Sequence, residues 1–199
     1  MTSNVFRAGQ IFLIDHPLKW NDPVSWFAKW TKWMSQDKGE EPTRNLWHCG
    51  LLVDPYSVVE VANASFDALR LKPLDYVLRI RDKNVVIYDL PLSEKERKTV
   101  AETALNTYMS KKVPFNHLCV IGLTLANLGN KTGLWPHWGW PERHIRYGFF
   151  CCEFVAYCFS KIGLYFRPGM NWWQGTTNDD IDDYCRRHAE AIYEYWVKS

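Results

Sequence analysis

The stretch of this chain best suited to chemistry is Tyr147-Gly148-Phe149-Phe150-Cys151-Cys152-Glu153-Phe154-Val155-Ala156-Tyr157-Cys158-Phe159, a glycine-broken entry leading directly into an amphipathic helix. From Cys151 the apolar positions Phe154, Val155, Cys158, Phe159 and Ile162 keep the i, i+3, i+4, i+7 spacing of one buried helical face, and Gly163 stops it. A cysteine in the first turn of such a helix faces backbone N–H groups and the positive end of the helix dipole, which together stabilise a thiolate. The same residues also read as two small hydrophobes in a core helix, because cysteine is among the most buried residue types. A base within reach is what separates the two readings.

The chain offers a base upstream, in Leu46-Trp47-His48-Cys49-Gly50-Leu51-Leu52-Val53. This apolar run breaks at Asp54-Pro55-Tyr56-Ser57, a turn signal with proline at its second position, and resumes as Val58-Val59-Glu60-Val61-Ala62. The pattern predicts a hairpin with His48 on its first strand and Glu60 on its second. A four-residue turn propagated ideally would pair position 48 with Asn63 and send Glu60 to the opposite face, since one register step flips every side chain. Asn63 and Glu60 therefore compete as the group that orients His48.

His48-Cys49-Gly50-Leu51-Leu52-Val53, then Val58-Val59-Glu60, then Phe150-Cys151-Cys152-Glu153-Phe154-Val155 resembles the circularly permuted NlpC/P60 (papain-like) thiol hydrolase superfamily, including its YiiX-like and lecithin:retinol acyltransferase-like branches. The resemblance spans roughly residues 6 to 185, with these short motifs as its specific part. It implies an α+β fold in which an antiparallel sheet packs against the nucleophile helix and the histidine hairpin precedes the cysteine helix. It places the nucleophile at Cys151 and the base at His48, with Cys152 in a position where the family carries serine. The acyltransferase-like branch sets its third polar residue twelve after the histidine, which favours Glu60 over Asn63 and calls for a looser turn or a bulge in the hairpin. His117, in a segment that corresponds to a cleft-lining stretch of the family, is the rival base. Two positions depart from the family pattern: Gln10 stands where aspartate is usual in the opening strand, and Cys49 follows the histidine where a small or β-branched residue is common.

The activity implied is that of a cysteine hydrolase cleaving an amide bond through a Cys-His-polar triad and a thioester, with cell-wall peptide as the substrate most readily suggested. A lipid acyl hydrolase or acyltransferase is the alternative within the same chemistry. A non-catalytic binding protein, using its Trp-rich segments as an interface, is the alternative outside it. The expected partner is a peptide or an acyl-bearing small molecule.

Composition narrows the field. With 24 basic and 22 acidic residues in 199, the net charge is +2 and no basic run stands out, so a nucleic-acid surface is not expected. The length suits one domain over residues 1–199. The six cysteines lack C-x-x-C spacing and the six histidines lack H-x-x-x-H spacing, so neither a zinc site nor any other cofactor is expected. No apolar leader opens the chain, and the longest apolar run, Leu118 to Leu128, is too short to span a bilayer. The expectation is a cytoplasmic protein with reduced thiols. Contact with a membrane interface stays open, through Trp135-Pro136-His137-Trp138-Gly139-Trp140-Pro141, which otherwise reads as an irregular lid beside Cys151.

Several elements must position these residues. Phe6 to Ile14 reads as an opening strand, and Asp22-Pro23 as the start of a helix with the stripe Trp26, Phe27, Trp30, Trp33, Met34. A polar surface loop, Gln36 to Arg44, follows. Residues 68–74 and 84–90 read as strands, the second apolar enough to be central, with a helical turn between them over 75–80. Ser93-Glu94-Lys95-Glu96 starts a helix to about Met109 with Val100, Ala104, Leu105 and Tyr108 inward. A further helix begins near Asn178 to Asp180, whose acids suit an N-terminus, and an edge strand closes the chain at 193–197.

Overall fold

The protein is described from a computed structural model, over residues 5–15, 46–61, 68–80, 83–110, 149, 151–167, 169 and 176–197. The helix at 23–34, the loop at 36–44, Asn63, His117 and the Trp-rich segment 135–141 lie outside the described residues.

Among the described residues six strands form one antiparallel sheet: β1 (Ile11–Asp15), β2 (Leu46–Leu52), β3 (Ser57–Val61), β4 (Leu69–Pro73), β5 (Asn84–Asp89) and β6 (Glu190–Tyr195). Their spatial order is β4-β3-β2-β1-β5-β6, so the opening strand lies in the middle and the closing strand at one edge. The described residues also hold four helices: α1 (Leu74–Leu78), α2 (Glu94–Met109), α3 (Cys151–Ser160) and α4 (Asn178–His188). The fold class is α+β, as the sequence suggests.

Strand periodicity divides the core in two. Ile11 and Leu13 point to one face with Cys49, Leu51, Val59, Val61, Val86 and Tyr88, and there they meet Val100 and Ala104 of α2, Phe154, Val155, Cys158 and Phe159 of α3, and Ile181 and Cys185 of α4. Phe12 and Ile14 point the other way with Leu52, Val58, Val85 and Ile87, against Leu74 and Val77 of α1. β5 lies between β1 and β6 and is buried on both faces from Val85 to Tyr88, which is why its sequence shows a continuous apolar run and no alternation.

Helix ends follow their sequence signals. Ser93 and Glu96 form a reciprocal capping box on α2, and Thr177 and Asp180 form another on α4. At the other end of α3 the Leu164 N–H donates to the Phe159 carbonyl (3.2 Å) and the Gly163 N–H to the Ser160 carbonyl (3.1 Å), the Schellman pattern, with Gly163 at φ +75°. α2 also buries Arg97, which the apolar stripe did not anticipate. Its guanidinium donates to the carbonyls of Leu90 (2.6 Å) and Ala8 (3.2 Å) and ion-pairs with Asp89 (2.8 Å), so the charge is compensated where it is desolvated.

The opening motif has a structural purpose. Arg7 ion-pairs with Asp89 at 2.6 Å, and Gly9 takes φ +81° with the place of its missing Cβ 3.3 Å from the Arg97 Cα. Gln10, at the position where the family pattern has aspartate, is fully buried. Its side-chain oxygen accepts from the Arg7 N–H (2.9 Å) and its amide donates to the Val5 carbonyl (2.8 Å). This glutamine ties the chain entry to β1. Among the described residues no helix is long and apolar enough to cross a membrane.

Candidate active site

The site is assembled from β2, β3, β4 and the first turns of α3 and α4. The hairpin that carries His48 and Glu60 is tighter than the four-residue turn inferred from its sequence. Val53 N–H donates to the Ser57 carbonyl at 3.0 Å, which leaves a three-residue loop, Asp54-Pro55-Tyr56, pinned by the Asp54 carboxylate accepting from the Tyr56 N–H at 2.7 Å. The strands then pair Leu52 with Val58, Leu51 with Val59 and Gly50 with Glu60. Glu60 shares a face with Gly50 and hence with His48, as a diagonal neighbour across the two strands. No looser turn and no bulge between these strands is needed. A bulge does occur on the other side of β2: Ile14 pairs with His48 and Asp15 with Leu46, so Trp47 has no β1 partner and the backbone kinks beside the histidine.

His48 Nε2 lies 2.7 Å from Glu60 Oε2, with the histidine side chain 24% exposed and the glutamate 4%. Glu60's other oxygen, Oε1, ion-pairs with Lys72 Nζ on β4. The Phe12 ring flanks the imidazole with centroids 6.0 Å apart. It comes so close to β2 because residue 50 has no side chain: a Cβ there would sit 2.5 Å from the Phe12 ring.

Cys151 opens α3 and is buried at its end. The His48 ring and the Cys152 and Cys49 thiols are its neighbours, near enough to act on the charge of its sulfur. With Nε2 engaged by Glu60, Nδ1 is the ring nitrogen left for the cysteine. The Asn178 side-chain amide, at the first residue of α4, lies 3.9 Å from Cys151 Sγ. No disulfide joins the described cysteines, and among the described residues no cluster of three potential ligands could hold a metal ion.

The electrostatics separate one thiol from its neighbours. The Cys152 and Cys49 S–H groups, which donate to a thiolate, hold Cys151 well below the ordinary thiol range against the opposing effect of burial, and the charged His48 ring adds to this. Cys152 and Cys49 themselves move well above it, chiefly because burial disfavours their charged forms. Burial also pushes Cys158 and Cys185 upward. For His48, desolvation alone would lower the pKa, but hydrogen bonds and charge from Cys151 and Glu60 outweigh it and raise the value to about 9. Glu60 is driven upward by burial and more strongly downward by His48 and Lys72, so its carboxylate stays ionised. These opposed shifts favour a thiolate at Cys151 beside a charged imidazole backed by a carboxylate.

Cys151, His48 and Glu60, the three residues singled out in the sequence, are thus brought together; the rivals Asn63 and His117 lie outside the described residues. Three participants were not legible beforehand. Lys72 reads in sequence as one polar position of an alternating strand, Asn178 as part of a helix start, and Cys49 as a departure from a motif. The β3–β4 register places Lys72, the approach of α4 to α3 places Asn178, and the packing of α3 on β2 places Cys49. Comparison of the chain with protein-family models, with curated proteins and with solved structures finds no match.

Proposed function

We propose that this protein is a cysteine hydrolase in which Cys151 is the nucleophile, His48 the general base and acid, and Glu60 the residue that orients and charges the imidazole. The observation that carries this reading is the 2.7 Å pair of the His48 ring with the buried Glu60 carboxylate, set beside a cysteine at a helix N-terminus whose charge and that of the imidazole stabilise each other. A core cysteine has no use for a hydrogen-bonded imidazole and a buried, ionised carboxylate behind it. The thiolate attacks an acyl carbon; the tetrahedral oxyanion collapses as His48 delivers its proton to the leaving group; water, deprotonated by His48, then resolves the thioester. Backbone N–H groups at the start of α3 and the Asn178 amide, 3.9 Å from Cys151 Sγ, would stabilise the developing oxyanion.

The order of elements supports a circularly permuted papain-like arrangement as the finer fold, with the histidine hairpin first and the cysteine helix after it against an antiparallel sheet. The resemblance noted in the sequence then points to amide substrates, with cell-wall peptide first among them. A pulse with acyl donors followed by mass spectrometry tests this. A thioester mass on the peptide containing Cys151, absent in Cys151→Ala, is the expected outcome. Running peptide amides and phospholipids in parallel assigns the substrate class, and no adduct from either would sink the enzymatic reading.

A further inference from the structure

The site extends one residue beyond the triad. Glu60 is a nearly buried carboxylate whose two oxygens are used differently: Oε2 meets His48 and Oε1 meets the Lys72 ammonium. On β4, Lys72 pairs with Val58, two residues from Glu60, just as Glu60 pairs with Gly50, two residues from His48. The three side chains therefore follow one diagonal across β2, β3 and β4 on a single face of the sheet. Lys72 is itself held: its Nζ lies 3.8 Å from the centroid of the Tyr76 ring on α1, a helix that starts two residues after it, and its side chain is only 28% exposed.

We propose that Lys72 is a positioning residue of this site: it anchors the outer oxygen of Glu60, aims the inner oxygen at the His48 ring, and limits how much of the carboxylate's charge the imidazole receives. This inference rests on the catalytic reading of Cys151, His48 and Glu60. An ammonium beside Glu60 weakens the negative field at His48, so the imidazolium gives up its proton more readily than it would beside an uncompensated carboxylate. Acid–base catalysis works best when the group's pKa lies near the working pH, and the cation moves His48 in that direction. The groups that face this array from the packed elements are Cys151 on α3, Glu60 on β3, and Lys72 and Arg70 on β4. β1 brings the Phe12 ring, α1 the Tyr76 phenol, and Arg70 stands opposite Glu60 with its guanidinium donating to the Leu69 carbonyl at 3.1 Å.

The sign of the effect discriminates this role from scaffolding. In Lys72→Met the imidazolium keeps a counter-charge that no cation shares, and its midpoint rises; in Glu60→Gln it loses the counter-charge, and the midpoint falls. The experiment is an NMR titration of the full chain with labelled histidine, the His48 signal being identified by its loss in His48→Asn. Lys72→Met is expected to move the His48 midpoint upward by about half to one pH unit, an amount typical of a charge removed from a partly screened neighbour. Lys72→Arg is expected to leave it in place. Lys72→Gln, which keeps a donor for Glu60 without the charge, should reproduce the upward shift if the methionine variant does not fold. An unchanged or lowered midpoint in a folded Lys72→Met or Lys72→Gln protein overturns the role of Lys72 alone. A wild-type His48 that titrates at the ordinary histidine value overturns the catalytic reading beneath it.

Discussion

A single methyl group at Gly50 should disturb both the sheet and the site. An ideal Cβ at this position falls 2.5 Å from Cε1 and Cζ of Phe12 and 2.8 Å from the Val59 carbonyl oxygen. Carbon atoms in good contact stand about 3.5–4.0 Å apart, so the overlap with the ring is about 1 Å or more. Phe12 is fully buried, which leaves its ring nowhere to swing, and Val59 is fixed in the β2–β3 ladder opposite Leu51. Overpacking of this kind costs about 1–3 kcal/mol, and the upper end applies because one of the clashing atoms is backbone. Strand propensity pulls the other way, since glycine inside a strand is about 0.5–1 kcal/mol worse than alanine, so the sign of the result isolates the steric effect. Urea titration of Gly50→Ala should show a lower midpoint at unchanged slope, and melting should fall by about 2–4 °C per kcal/mol in a chain of this size. Because the displaced ring abuts His48, the rate of Cys151 alkylation at neutral pH should fall as well. A variant within about 0.5 kcal/mol of the parent, with unchanged Cys151 reactivity, would refute the claim that Phe12 and Gly50 together set the position of the imidazole.

Brief iodoacetamide treatment near neutral pH should label Cys151 ahead of the other described cysteines, and Cys49→Ala or Cys152→Ala should each shift that reactivity to higher pH by removing an S–H donor to the thiolate. Peptide mapping decides this, and preferential labelling of Cys152 sinks the assignment. Turnover should rise with pH as Cys151 loses its proton and decline as the His48 imidazolium, the acid that protonates the leaving group, is lost around pH 9. A profile with no alkaline decline, or one that survives in His48→Ala, contradicts this base. Asn178→Ala should lower kcat by about 10²-fold with little change in KM, the loss expected when one oxyanion donor is removed. An effect confined to KM would place the amide on the substrate and away from the reacting carbonyl.

Much of this arrangement was readable from the residues, and the part that was not has one physical origin. The start of α2 followed from Ser93 and Glu96. The end of α3 followed from Gly163, and the helix and strand that close the chain from local signals near Asn178 and Tyr193. These signals act over three or four residues and need no tertiary context. The facing of Glu60 was different: it depends on whether the loop at Asp54 holds three residues or four, and Ser57 is able to serve as a turn residue or as the first of β3. The structure selects the shorter loop, through a side-chain hydrogen bond at Asp54 that composition alone does not rank. Lys72, Asn178 and the Cys49 thiol were hidden for a related reason. Each reaches the site from an element distant in sequence, and Arg97 likewise is a charge whose burial makes sense only once the carbonyls of Ala8 and Leu90 surround it.

The hairpin tip separates two kinds of change that look alike in an alignment. A slip of β3 by one residue against β2, with Ser57 drawn into the turn, would exchange the two faces of β3, turning Glu60 away from His48 and a valine toward it. A residue inserted between Asp54 and Tyr56 leaves the Val53–Ser57 closure, and with it every pair of the ladder, where it was. A tip as open to solvent as Tyr56 is therefore free in residue type and in length, and what the site requires is the closing pair beneath it.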